Sequence, residues 1–172
     1  MVKYKILGAL LIGVILFLAC EKDDICVDGD TPLLQIGFYD TTDTDTALTA
    51  TSIRVIGEGQ TNAIQTDSLK DRTDLKNISI PLKTVGNSTS FTFILDSEDD
   101  DNNNEIGNPD TVTFSYELGD EYVSRACGFI ANYNGITATL TADSDNWIKG
   151  IEFIAADINL ENINTTHVKI YH

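Results

Sequence analysis

Histidine is almost missing from this sequence, with two in 172 residues, His167 and His172, close to one end. Hydrolytic triads and most zinc sites need an imidazole, so the scarcity removes the commonest catalytic and metal constellations. Five positions apart on an extended segment, the two rings face opposite ways and cannot share a ligand. There is no GxSxG turn, no HExxH helix, no CxxC pair and no glycine loop shaped for phosphate. Bases are few as well, 11 against 27 acids, a net charge of −16. Such a chain repels nucleic acid and anionic headgroups, and it suits divalent cations, basic partners or plain solubility outside a cell.

Sustained helical periodicity is also lacking. In its place apolar and polar residues alternate, the period-two signature of strands. Phe91, Phe93 and Leu95 alternate with Thr92 and Ile94, and Val112, Phe114, Tyr116 and Leu118 with Thr111, Thr113, Ser115 and Glu117. The pattern recurs at Ile53 and Val55, at Ile78, Ile80 and Leu82, at Ile136, Ala138 and Leu140, and at Val168 and Ile170. With Leu33 to Tyr39, Tyr122 to Tyr133 and Trp147 to Ala155, about nine strands are expected, rich in the β-branched and aromatic residues that suit a pleated surface. Turn residues separate them, and Asn134-Gly135 reads as the tightest hairpin. Only Thr66 to Asn77 offers a short helix. The class predicted is all-β: an antiparallel β-sandwich with immunoglobulin-like connections, a barrel being the alternative.

One long apolar run stands apart. Lys3 and Lys5 precede an uncharged stretch from Ile6 to Ala19, which at 14 residues is short of the ~20 that a helix needs to cross a bilayer. It ends at Phe17-Leu18-Ala19-Cys20 and is followed by Glu21-Lys22-Asp23-Asp24. The first feature resembles the lipobox of bacterial lipoproteins, which implies cleavage before Cys20 and acylation of that cysteine. The second resembles the export tract that sends Bacteroidota lipoproteins to the outer face of the outer membrane, the periplasmic leaflet being the alternative. Two or three acyl chains give a lasting anchor without a membrane span. The organisation expected is a leader over residues 1–19, a lipidated acidic tether over 20–31 and one β-sandwich domain over 32–172, the mature charge being 9 − 27 = −18.

With Cys20 assigned to lipid, Cys26 and Cys127 remain as an even pair in an oxidising compartment, and we expect a disulfide rather than two buried thiols. It would close a loop of about a hundred residues, worth ~4 to 5 kcal/mol in the chain-entropy model.

The densest group of oxygen ligands is DSEDDDNNNEIGNPD, Asp96 to Asp110. Counted from Asp99, the residues Asp101, Asn103, Glu105 and Asp110 fall at the third, fifth, seventh and twelfth places of a calcium loop, with Asn104 where glycine makes the turn. Weak calcium binding is one reading; a solvated hairpin loop is the other. A second acidic stretch holds Asp40, Asp43 and Asp45. Three strands are expected between the two stretches, which puts them at opposite poles. Arg125 is expected on the same side of its strand as Val123, Cys127 and Phe129. Tyr133 with Trp147 would make a glycan-binding platform if exposed, though a single tryptophan is more often core.

Taken together, CEKDDIC at Cys20, FYD at Phe38, YVSRACGF at Tyr122, DNWIKGIE at Asp145 and HVKIYH at His167 resemble an uncharacterised family of Bacteroidota lipoproteins. The resemblance implies an address and a fold, and no catalytic residue. Two classes of function follow: a non-catalytic surface module that binds a protein or glycan partner, and a small carboxylate-dependent hydrolase directed at glycans.

Overall fold

A computed structural model describes Cys26 and residues 31–159 and 162–172; the expected leader, Cys20 and most of the tether lie outside those residues. The described chain is all-β and forms nine strands: β1 Leu34–Tyr39, β2 Ala50–Gly57, β3 Thr73–Leu75, β4 Asn77–Ile80, β5 Ser88–Leu95, β6 Asn108–Ser124, β7 Gly128–Leu140, β8 Gly150–Phe153 and β9 Val168–Tyr171. Two compact units result. One holds Asp30–Glu121 and Ile130–His172; among the described residues the other holds Cys26 and Tyr122–Phe129.

The larger unit is a sandwich of two sheets, ordered β4-β1-β9-β8 and β3-β2-β5-β6-β7, and neither closes into a barrel. The alternating apolar positions supply its core: Leu34, Ile36 and Phe38 from β1, Ile53 and Val55 from β2, Phe91 and Phe93 from β5, and Val112, Phe114 and Tyr116 from β6 are all buried. Pairing is antiparallel except that β1 runs parallel to β9, Ile36 opposite Val168 and Tyr39 opposite Tyr171. Among the described strands the last therefore pairs with the first.

Three local expectations are corrected. No helix forms at Thr66–Asn77: the Thr66 hydroxyl caps a turn through the Leu69 amide, Arg72 takes a left-handed conformation with φ 55°, and Thr73–Leu75 becomes a strand. Asn134-Gly135 is not a hairpin turn but lies inside β7, where left-handed Gly135 aims its amide at Asp157 Oδ1, 2.8 Å away. The β6–β7 hairpin turns instead at Arg125–Cys127, with Gly128 supplying the positive φ and Ser124 Oγ accepting the Cys127 amide. Arg125 is accordingly an exposed turn residue rather than a strand residue.

The extra strand β3 also changes the poles. Four strands, not three, separate the loop after β1 from the loop after β5, and an even number of reversals returns the chain to the same end. The Asp96 amide donates to the Thr51 carbonyl at 2.9 Å, and the His172 amide to the Tyr39 carbonyl at 3.0 Å, so both acidic loops open from one end of the sandwich. The loop after β7, with Asp143 and Asp145, joins them: Asn108 Nδ2 donates to the Asp145 carbonyl at 2.8 Å.

Candidate functional site

At the acidic end, Glu105 is the hub. Its Oε1 accepts the amides of Glu98 and Gly107 at 3.1 and 3.0 Å, and its Oε2 accepts Ser97 Oγ, Arg54 Nη1 and Arg72 Nη2 at 2.7, 3.0 and 3.3 Å. Partial burial alone would push this carboxyl up, but the Ser97 hydroxyl, the Gly107 amide and the two guanidinium groups outweigh it and bring the pKa down to about 2. Arg72 forks onto Asp99, Nη1 reaching Oδ2 at 2.8 Å and Nη2 bonding Oδ1. That fork holds the Asp99 carboxyl below its ordinary range. Asp100 is lowered by a different means: the Asn104 side chain and the amides of Asn104 and Asn102 donate to it.

Of the five residues expected to hold calcium, Asp99 and Glu105 are brought together, but around Arg72. Asp99 and Glu105 are engaged by arginine, and Asp110 sits fully buried on β6. There Asp110 accepts the Ile148 amide at 2.7 Å and Asn146 Nδ2 at 2.8 Å. Asp101 and Asn103 stay exposed, and the left-handed turn falls on Asn103, φ 61°, one place before the expected Asn104. Among the described residues no group of three or more His, Cys, Asp or Glu side chains is arranged to hold a metal ion. The spacing of the sequence matched a calcium loop because the same polar residues that ligate cations also build Asx turns and accept arginine.

The histidines are structural. His167 is fully buried; its Nδ1 accepts the Gln35 amide at 3.0 Å, so the ring proton lies on Nε2, 3.0 Å from the Asn162 carbonyl. Burial pushes its pKa down, partly offset by the bond to Asn162. His172 packs edge-on to Trp147 and Phe38, with ring centroids 5.4 and 6.0 Å away. Trp147 and Tyr133 are core residues: the indole donates to the Phe93 carbonyl, the phenol to that of Leu82, and the two rings do not form an exposed platform.

Two features escaped the sequence reading. One is a half-open groove of about 460 Å³ on the outer face of the five-stranded sheet, with a row of hydroxyls along it. Strand register places Ser90 opposite Thr113 and Thr92 opposite Thr111, and the hydroxyl pairs meet at 2.8 and 3.3 Å. Thr141 and the β2 turn at Gly57–Gln60 complete it, and Glu58 is its one charged residue. Polar positions in a strand pattern read only as "outward", so their shared chemistry was hidden. The other is the hairpin tip. Cys26 and Cys127 stand at disulfide distance, 2.02 Å between sulfurs, as expected. Beside them Tyr122 and Phe129 are 55% and 69% exposed with ring centroids 5.3 Å apart. A signal for the tip was present in the sequence: no carboxylate occurs between Glu121 and Asp143.

Among the described residues no helix is long and apolar enough to cross a membrane. Searches of curated proteins and of solved structures return no match. A family profile matches residues 52–172, which takes in β3 to β9, most of β2 and Cys127 but leaves β1 and Cys26 outside. On that match over more than half its length, the chain belongs to the family of unknown function DUF6452.

Proposed function

We propose that this chain is an envelope lipoprotein of the Bacteroidota type, acylated at Cys20, held at the outer membrane with its domain at the cell surface, and acting as a non-catalytic binding module. The observation that carries the non-catalytic part is that Glu105, Asp110 and His167 are already bonded internally. Glu105 serves five donors, Asp110 two, and His167 two backbone groups. A general acid or base needs a proton path to substrate, and these groups face the protein instead. The anchor rests on the uncharged run from Ile6 to Ala19 behind two lysines and ahead of Cys20. For the binding face, the hydroxyl groove supports an uncharged, hydrogen-bonding partner such as a glycan over a basic protein, because it offers donors and acceptors with a single carboxylate.

Mass spectrometry of protein isolated from the native envelope should yield an acylated peptide beginning at Cys20; Met1 retained on mature protein would end the anchor reading. Glycan-array binding should be lost in Thr113→Lys, which places an ammonium in the groove, while release of reducing sugar ends by the wild type would overturn the non-catalytic reading.

A further inference from the structure

We propose that the β6–β7 hairpin tip, Tyr122 to Phe129, is a bilayer-contact element that seats in the membrane interface beside the acyl anchor; this rests on the acylation of Cys20 proposed above. Four observations converge on it. The first is tether length: Cys26 is six positions beyond Cys20, and a chain extends at most ~3.3–3.6 Å per residue, so Cys26 stays within roughly 20 Å of the acylated residue. Second, Cys26 is bonded to Cys127 in the turn of the hairpin, so that bound applies to the tip itself. Third, the two large apolar side chains of the tip, Tyr122 and Phe129, are exposed and in edge contact with each other rather than packed into a core. Fourth, the tip contains no acid and one base, Arg125, in a chain where acids outnumber bases 27 to 11.

The chemistry suits the polar–apolar boundary of a bilayer. A tyrosine ring has an apolar body and a wet hydroxyl end, and aromatic residues gather at that boundary. Arg125 can meet lipid phosphate while its aliphatic stem lies along the apolar surface. A pair of rings alone would bind a membrane weakly. Held within the tether's reach, however, they meet it at high effective concentration, and a weak contact becomes a populated one. The link between the anchor and Cys26 carries Glu21, Asp23 and Asp24 against Lys22, so attraction to the surface must come from the acyl chains and the tip rather than from charge. The consequence is a second point of attachment, which fixes the hairpin relative to the membrane where a single point of attachment would leave its orientation unset.

The test uses the full acylated chain in vesicles of phosphatidylethanolamine and phosphatidylglycerol. Phe129→Trp adds an indole at an exposed position, and buried Trp147 of the wild-type protein serves as the reference. On reconstitution the variant's added emission should shift to the blue, and lipids brominated just below the headgroup should quench a larger fraction of its fluorescence than of the wild type's. Mass analysis of the N-terminal peptide on the same sample reports acylation. An acylated variant quenched no more than wild type overturns the tip proposal and leaves the anchor standing. A chain that carries no acyl group overturns the anchor reading, and the tip proposal falls with it.

Discussion

Asp96–Asp110 and Tyr122–Phe129 carry opposite charge balances. The first holds seven of the 27 acids; the second has none. The sequence draws attention to the first, yet its ligands are taken up by the fold. Of the three arginines, Arg54 and Arg72 converge on Glu105, and Asp110 is buried against the Ile148 amide. Like charges packed in one loop repel, and a scarce base placed among them stabilises most, so the folded chain positions its guanidinium groups there. The third arginine, Arg125, stands exposed on the acid-free tip beside two uncovered rings. Density of polar ligands thus marks where the structure satisfies itself, and the quiet segment keeps surface that internal packing does not use.

The largest test of that contrast is at the tip's covalent tie. Cys26→Ser with Cys127→Ser removes a link spanning 101 residues and should lower unfolding free energy by about 4 kcal/mol in the chain-entropy model, read as a fall in Tm. Alkylation of both thiols in native, unreduced protein would show that the tie does not form in the envelope.

Next come the acids of the loop, where the difference between bonded and solvated carboxylates should appear within one segment. Asp110→Ala leaves the buried Ile148 amide unpaired and removes one of the bonds of Asn146, and should cost about 2–3 kcal/mol. Glu105→Gln keeps the shape but removes the charge that two arginines share; with the side chain partly open to solvent, about 1–2 kcal/mol is expected. Asp101→Asn, on an exposed position, should change stability by less than about 0.5 kcal/mol. Equal effects in denaturant melts of all three variants would dissolve the distinction.

Acid should separate the same groups in order. Burial lowers the pKa of His167 from 6.5, so the unfolded chain takes up its proton first and stability falls as pH drops below about 6.5 toward the folded value. Protonated Nδ1 would also confront the Gln35 amide, donor against donor. Glu105, brought down from 4.5 to about 2, contributes stability that is full above pH 4.5 and lost as pH falls toward 2. Denaturant melts across this range should show two phases, and His167→Asn should flatten the first alone. A first phase unchanged in that variant would assign it elsewhere, with His172, also lowered by burial, the next candidate.

How much of this was legible beforehand depended on which physical rule a residue obeys. Alternation specified the strands at Phe91–Leu95 and Val112–Leu118, and the inward faces at Phe91, Phe93, Val112, Phe114 and Tyr116, because burial acts on every second residue; at the strand ends it failed, with Ile94 buried and Leu118 exposed. Strand connectivity was less accessible. Asn134-Gly135 has the residues of a tight turn, yet β7 runs through it and is tied there to Asp157 and Ala156, a long-range contact that no local pattern encodes. Missing β3, a three-residue strand, reversed the parity of strand counting and put the two acidic loops at the wrong ends. The Cys26–Cys127 pairing was readable because only two cysteines remained once Cys20 was set aside. Arg54 and Arg72 were not assigned to Glu105, because their separations of 51 and 33 residues are set by the sandwich and not by spacing.

The smallest expected effect is that of calcium, and it bears on the loop from the other side. To occupy the spacing from Asp99, the ion would have to displace the Arg72 fork from Asp99, draw Glu105 away from two guanidinium groups and extract Asp110 from beneath Asn146. Each displaced base would then stand near a dication, which opposes binding. The exposed residues Asp101 and Asn103 alone supply too few oxygens for a calcium shell of six to eight ligands. Millimolar calcium should therefore raise Tm no more than magnesium does, and no more than sodium chloride at matched ionic strength, since all three screen the repulsion among the loop's acids. A rise specific to calcium and abolished by Asp99→Ala with Asp101→Ala would mean that the ion rearranges the loop and wins its carboxylates from the arginines. In that event the dense segment, and not only the quiet one, would hold a binding function.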